Sequence, residues 1–107
     1  MAKYLLIESR DSYESREVDE YYDLARDLKS EGNEVSFYLI QNGVFAAKNG
    51  FTDSKLNQLS GVTVFADDFS LQQRGIESSE IANGVKVAPI GTLVDLLTQA
   101  DVKPLWH

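Results

Sequence analysis

The sequence predicts an α/β fold, in which a mostly parallel, open sheet of four to five strands forms the middle of a three-layer α/β/α sandwich. Short runs rich in β-branched and aromatic residues alternate along the chain with segments whose apolar residues recur at helical spacing. Some of the short runs are apolar at consecutive positions, as expected for strands covered on both faces of a parallel sheet. Because parallel strands are joined by helical crossovers, helices are expected on both faces.

Four segments are predicted as strands, with a possible fifth near the end of the sequence. The first, Lys3–Glu8, contains four consecutive apolar residues and is typical of a central strand. The next three are residues 35–40, 62–66 and 85–88. A fifth strand around Pro104 would be short and at an edge of the sheet, because proline has no N–H to donate to a neighbouring strand.

The longest predicted helix follows the first strand. Asp11 and Glu14 have the spacing of a capping box, and the apolar residues between Val18 and Leu28 then recur at helical spacing. Gly32 is placed to end this helix in the left-handed conformation. The segment therefore predicts an amphipathic helix that crosses one face of the sheet.

The remaining helices are shorter. They are predicted at residues 44–48 with Asn42 as cap, at 53–59, at 69–73 with Asp68 as cap and Gly75 as end, and at 78–82. A last helix carries the capping-box spacing at Thr92 and Asp95. Its predicted apolar face consists of Leu93, Val94, Leu97 and Ala100. This succession of strands and helices is typical of flavodoxin-like folds.

Composition limits the size, location and partners of the protein. A chain of 107 residues, 43% of them hydrophobic, can bury a sizeable core, so a single domain over residues 1–107 is predicted. The formal net charge of −7 argues against binding to nucleic-acid backbones or to anionic lipid. No apolar run approaches the length of a signal peptide's core or a membrane-spanning helix. We therefore expect a cytoplasmic protein that contacts neither nucleic acid nor membrane directly.

The residue types present exclude several kinds of chemistry. The sequence has no cysteine, so disulfides, thiolate nucleophiles, iron–sulfur clusters and cysteine-ligated zinc are excluded. Its one histidine, His107, is the last residue printed, where a frayed end would be a poor general base. A metal site at Glu8, Asp67 and Asp68 would need further oxygen ligands. Gly43 stands alone, whereas phosphate-binding loops contain clustered glycines. We predict no catalytic residue, no metal and no cofactor.

Polar residues follow the predicted strands at their carboxyl ends. These ends meet at one edge of a parallel sheet, which is where open α/β folds bind ligands. The candidate ligand- or partner-binding residues on this rim are Glu8, Asn42, Gly43, Asp67, Asp68 and Arg74. Two interpretations of the paired aspartates stay open, namely the start of a helix and a role in binding.

Three segments, taken in order, resemble one protein family. Residues 43–47 (GVFAA) are similar to its loop and helix after the second strand, and residues 62–68 with 74–76 (RGI) are similar to its strand-to-helix segment. Residues 92–97 with Trp106 look like the C-terminal pattern of one branch. The family is the DsrE/DsrF/DsrH superfamily, which includes the Tus sulfur-relay subunits and the YchN-like proteins. The branch is DsrH/TusB.

The resemblance implies a three-layer fold that associates into homo- or hetero-oligomers and passes persulfide sulfur to tRNA modification or sulfur oxidation. In DsrE-type subunits the sulfur-carrying cysteine lies just before the Arg-Gly pair, where this chain has residues 67–70 (DDFS). A chain without a thiol cannot hold a persulfide. The sulfur-carrying role therefore does not transfer to this protein.

Two functional hypotheses follow. The first is a non-catalytic subunit or regulatory module that pairs with itself or with a cysteine-bearing DsrE-like partner. The second is a small-ligand-binding or minor hydrolytic protein that uses the rim at Asp67 and Asp68. Trp106 is expected to pack against the fold or at a subunit interface, where aromatic residues are enriched.

Overall fold

A parallel five-stranded sheet organises the part of the chain that the structure describes. The computed structural model describes residues 2–11, 14–49, 56 and 59–107. Its strands are β1 (Lys3–Glu8), β2 (Glu34–Leu39), β3 (Thr63–Asp67), β4 (Val85–Ala88) and β5 (Val102–Trp106). They are ordered β4-β3-β2-β1-β5, and every neighbouring pair is parallel. The predicted α/β class and parallel sheet are confirmed, and β5 is the predicted short edge strand.

Helices cover both faces of this sheet. They are α1 (Glu17–Ser30), α2 (Asp68–Gln73) and α3 (Ile90–Leu97), with two 3₁₀ helices at Gln41–Ala47 and Ser78–Glu80. Buried residues of α1, α2 and the first 3₁₀ helix share one core with the sheet, whereas α3 contributes to a second core on the opposite face. The predicted three-layer α/β/α arrangement is confirmed.

The larger core lies under α1. Tyr22 on α1 stacks on Phe37 of β2 with ring centroids 4.7 Å apart, and Tyr21 meets the same ring edge-on. Val18 and Ala25 complete the buried stripe of the helix. The helical spacing of apolar residues in the sequence therefore identified the face that packs, because one stripe of α1 is buried and the other is solvated.

The second core is smaller, because α3 alone covers that face among the described elements. Leu93 is buried against the sheet and Leu96 is half-buried beside it. Val94 and Leu97, which were predicted to belong to the packed face, are exposed instead. Most of α3 is apolar, so the sequence period did not show which stripe would face the sheet.

The capping boxes predicted at Asp11 and Thr92 are wrong. The backbone oxygen of Asp11 accepts the Glu14 N–H in a separate turn, and α1 begins only at Glu17. Helix α3 begins earlier than predicted, with Pro89 at its N-cap, and the Thr92 N–H donates to the Pro89 carbonyl. A capping-box spacing involves only a few neighbouring residues, so it occurs in isolated turns as well as at the start of helices.

The helices predicted at residues 44–48 and 53–59 compare differently with the structure. The 3₁₀ helix Gln41–Ala47 starts before Asn42, and its N-cap residue Ile40 makes no side-chain capping bond, so Asn42 is not the predicted cap. The helix predicted at 53–59 lies outside the described residues, apart from Leu56 and Leu59. Across the described ranges, none of the helices has the length and apolar character needed to span a bilayer.

Candidate functional site

The predicted rim residues meet at the carboxyl ends of β1, β2 and β3. Gly43 packs on the backbone of Glu8, and the Arg74 Nε donates to Asn42 Oδ1 over 3.0 Å. Arg74 also donates to the carbonyl of Ser70, whose side chain bonds to Asp67. A continuous chain of contacts therefore joins the ends of these three strands. Asp68 and Trp106 lie apart from it, as exposed residues.

Asp67 caps α2, which corrects the prediction that Asp68 does so. Its Oδ2 accepts the Ser70 N–H at 3.0 Å and the Ser70 hydroxyl at 2.7 Å. The Tyr38 hydroxyl lies 3.2 Å from Oδ1. Burial, together with the negative charge of Asp67, raises the pKa of Tyr38. Both carboxylate oxygens of Asp67 are thus engaged inside the fold, and the side chain is 3% exposed.

Ser70 connects α2 to the end of β2. Its hydroxyl oxygen accepts the Gln41 N–H at 2.9 Å while the hydroxyl donates to Asp67. Gln41 has a φ of 54°, a left-handed conformation that no other described non-glycine residue adopts. Ser70 was missed in the sequence, although a serine three residues after a helix-capping aspartate is a usable signal.

Asn42 and Arg74 form the polar surface of the rim. The Asn42 side chain donates through Nδ2 to the Glu14 carboxylate and accepts from Arg74 through Oδ1. Arg74 is held further by its bond to the Ser70 carbonyl, 3.2 Å long. The guanidinium therefore has fixed partners within the fold.

Gly43 allows the first 3₁₀ helix to approach the end of β1. A Cβ at this position would lie 2.2 Å from the Glu8 carbonyl oxygen and 3.0 Å from the Glu8 carbonyl carbon. These atoms belong to backbone and cannot rotate away. Glycine is required at position 43 because the backbone of Glu8 lies too close for a side chain. A left-handed backbone conformation is not the reason.

Glu8 is a fully buried carboxylate with a histidine partner. Its two oxygens lie 2.8 and 2.9 Å from His107 Nδ1, and the Arg10 N–H donates to Oε2. Burial raises the pKa of Glu8, against the opposing effect of His107. The expectation of a frayed His107 is wrong, because its backbone also bonds to β1 and to Ser9. The sequence carried no local signal for a contact across 99 positions.

Two surface cavities adjoin α2. One of about 300 Å³ is lined by Asp67, Ser70 and Gln41 together with apolar side chains, including the exposed Phe69. The other, of about 560 Å³, lies between α2 and β4 and includes Asp68 in its wall. The paired aspartates therefore face different cavities, and they do not form one acidic site.

No metal centre is built by the residues described. Within residues 2–11, 14–49, 56 and 59–107, no three histidine, aspartate or glutamate side chains are grouped closely enough to hold an ion. What the rim can do chemically is accept and donate hydrogen bonds, mainly through Asn42 and Arg74.

Comparisons with solved structures show the fold, and a family model shows the family. The chain is similar to the crystal structure of the YchN protein from E. coli, with a TM-score of 0.88 and 20% identity over 100% of both chains. It is also similar to MTH1491, a protein of unknown function from Methanobacterium thermoautotrophicum, with a TM-score of 0.79 and 18% identity over 100% of both chains. No curated protein matches the sequence. The model of the DsrE/DsrF-like family matches residues 2–103, and the chain belongs to that family.

Proposed function

We propose that this protein is a cytoplasmic, non-catalytic DsrE-like subunit that assembles with a second DsrE-like chain and supports a sulfur relay without carrying sulfur itself. Family membership supports the link to sulfur relay. The absence of cysteine from the sequence supports a non-catalytic role, because persulfide chemistry needs a thiolate. Asp67 and Ser70 occupy the segment before Arg74, and both are engaged in internal hydrogen bonds.

The observation that carries the proposal is an apolar surface on the α3 side of the sheet. Ile90 and Val94 are each 51% exposed, Leu97 is 41% exposed and Trp106 is 62% exposed. Trp106 pairs in register with Ile7, whose side chain is in the same core as Leu93, so Trp106 is on the face that α3 covers. Large apolar side chains exposed on one face are typical of subunit interfaces.

The chemistry of this surface fits an apolar partner better than a small polar ligand. We name it the α3 face and define it as Ile90, Val94, Leu97 and Trp106. These side chains carry no charge that a partner could complement, so the affinity would come from burial of apolar area. A cysteine-bearing DsrE-like chain in the same assembly would supply the sulfur chemistry that this chain lacks.

Native mass spectrometry of the untagged protein from its own host tests the proposal. A hetero-oligomer that contains a cysteine-bearing chain of similar size is the expected result. A monomer at every concentration, with no co-purifying chain, would contradict it. A homo-oligomer alone would show that the chain assembles with itself and would contradict the proposed cysteine-bearing partner.

Val94→Asp is expected to weaken the assembly by about 100-fold in dissociation constant, because it places an unpaired charge inside an apolar interface. Sedimentation velocity over a range of concentrations measures this change. Gln99→Asp is the matched control, since it adds the same charge at an exposed polar position beyond α3. If both variants assemble like the wild type, the α3 face is not the interface.

A second candidate function is binding of a small molecule at the rim. The cavity of about 300 Å³ beside Asp67 and the left-handed backbone of Gln41 favour it, because strained backbone concentrates at binding sites. A thermal-shift screen of small metabolites on the Gln41→Gly variant and the wild type tests this candidate. A ligand that stabilises the wild type, while the same protein stays monomeric, would favour binding over assembly.

A further inference from the structure

The end of β5 is held to β1 and to the loop after β1 by side-chain hydrogen bonds as well as by backbone hydrogen bonds. The His107 N–H donates to the Ile7 carbonyl at 2.9 Å. The His107 carbonyl oxygen accepts from the Ser9 N–H at 3.2 Å and from the Ser9 hydroxyl at 2.8 Å. Tyr21 on α1 adds a bond from its hydroxyl to the Leu105 carbonyl. Residues 105–107 therefore lie beside the end of β1 and the start of the loop after it, and we call this segment the strap.

The imidazole of His107 lies between two carboxylates. Nδ1 faces both oxygens of Glu8, and Nε2 lies 3.3 Å from Glu17 Oε2. While Glu8 and Glu17 are ionised they only accept hydrogen bonds, so a neutral imidazole, with one N–H, satisfies only one of these two contacts. The imidazolium has a donor for each. The arrangement of acceptors thus fits the protonated ring.

The strap also covers a charged group. Glu8 is 0% exposed, and the imidazole of His107, which is cationic only when protonated, is in direct contact with it. An ionised carboxylate buried without a partner is strongly unfavourable, so the state of His107 decides the cost of keeping Glu8 covered.

We propose that residues 105–107 form a proton-controlled strap, which the His107 imidazolium holds closed over Glu8 and which loosens when that ring loses its proton. The opening of the strap is independent of the proposed subunit role. It concerns a conformational change within one chain and needs no partner.

The charged and titratable groups that face His107 come from three elements. Glu8 on β1 and Glu17 on α1 favour the proton, whereas Arg10 in the loop after β1 opposes it. Glu20 on α1 lines the same surface cavity as Glu17 and His107. Tyr21 packs its ring 5.2 Å from the imidazole. Burial is the largest effect and lowers the pKa of His107, but the hydrogen bonds to Glu8 and Glu17 and the charge of Glu8 together outweigh burial and Arg10, so the pKa is raised above its ordinary value of 6.5.

The sign of the pH effect follows from this direction. A histidine whose pKa is higher in the folded state stabilises the fold fully below pH 6.5 and loses that contribution as pH rises through the folded value. The raised pKa of Glu8 acts in the same sense, because the folded state favours the protonated acid. The strap is therefore held closed up to pH 6.5 and loosens as pH rises through the folded pKa of His107.

Loosening the strap would change two surfaces together. The carboxylate of Glu8 would become accessible at the carboxyl end of β1, beside the Gly43 end of the rim. Trp106, which precedes His107, would lose its fixed position on the opposite face of the sheet. A single proton is thus able to couple the rim to the α3 face.

Amide hydrogen exchange by NMR, on the intact chain between about pH 6 and pH 9, tests the strap. The protection factors of the Ser9 and His107 amides are expected to fall about tenfold or more with rising pH, because both amides donate within the strap. The Ile40 amide is an internal control. It donates to the Glu8 carbonyl within the β1–β2 side of the sheet and should keep its protection.

Two variants sharpen the test. His107→Gln keeps a side-chain donor without a charge, so the Ser9 amide should be poorly protected at every pH. Glu17→Gln should retain the transition and move it to lower pH, because Glu17 favours the proton but, at 70% exposure, less strongly than the buried Glu8 does. If His107→Gln fails to fold, the pKa of the His107 ring, measured by titration of the wild-type protein, tests the proposal instead. A ring pKa at or below 6.5, or Ser9 protection that is constant with pH, overturns the proposal.

Discussion

Gly43→Ala is expected to lower the free energy of unfolding by about 3 kcal/mol, the upper end of the range for overpacking. The added methyl group would lie 2.2 Å from the Glu8 carbonyl oxygen, and only a shift of the first 3₁₀ helix away from β1 relieves that contact. Urea denaturation followed by circular dichroism measures the loss. Such a shift would also displace Asn42 and weaken its bond to Arg74.

Gly91→Ala is the matched control for this prediction. Nothing lies within 4 Å of a Cβ added at Gly91, and the residue is in α3 without a positive φ. Alanine there should stabilise the protein by about 0.5–1 kcal/mol, because it reduces the freedom of the unfolded chain. Equal effects of the two variants would show that the close approach at Gly43 is absent in solution.

Asp67→Ala is expected to cost about 3 kcal/mol in the free energy of unfolding. Loss of a helix cap accounts for about 1 kcal/mol, and a Ser70 hydroxyl left without its acceptor accounts for the rest. Asp67→Asn should cost only about 1 kcal/mol, since asparagine caps helices nearly as well. Thermal and urea unfolding of the two variants, at the same pH, check the difference.

Asp68→Ala separates the two aspartates. Asp68 is exposed in the first turn of α2, so its removal should cost about 0.5 kcal/mol through the helix dipole alone. A loss at Asp68 as large as that at Asp67 would reverse the assignment of the cap. It would also show that Asp68 contributes to the structure of the rim.

The sequence predicted the sheet well because strand signals are local. The limits predicted for β1 and β4 agree with the observed strands, and the edge position of β5 followed from the missing N–H of Pro104. The order β4-β3-β2-β1-β5 could not be derived in the same way. Strand order depends on which apolar faces pack together in three dimensions. The spacing of apolar residues along the sequence does not contain that information.

The site was predicted less completely than the fold. Sequence reasoning placed Glu8, Asn42 and Arg74 on one rim, because parallel strands bring their carboxyl ends together. It chose the wrong aspartate as the cap, since adjacent aspartates have equal propensity and only the end of β3 decides between them. It also missed the partner of Glu8, because His107 reaches it through pairing of the first and last strands.

The position of β1 between β2 and β5 has a consequence for how the protein is made on the ribosome. β1 ends at Glu8, yet its second neighbour begins only at Val102, so a long stretch of chain is synthesised between the two strands. Until then, one edge of an apolar strand has free backbone groups and is open to pairing with other chains. Nascent chains of this protein should therefore depend on chaperones more than a fold of this size with locally paired strands would.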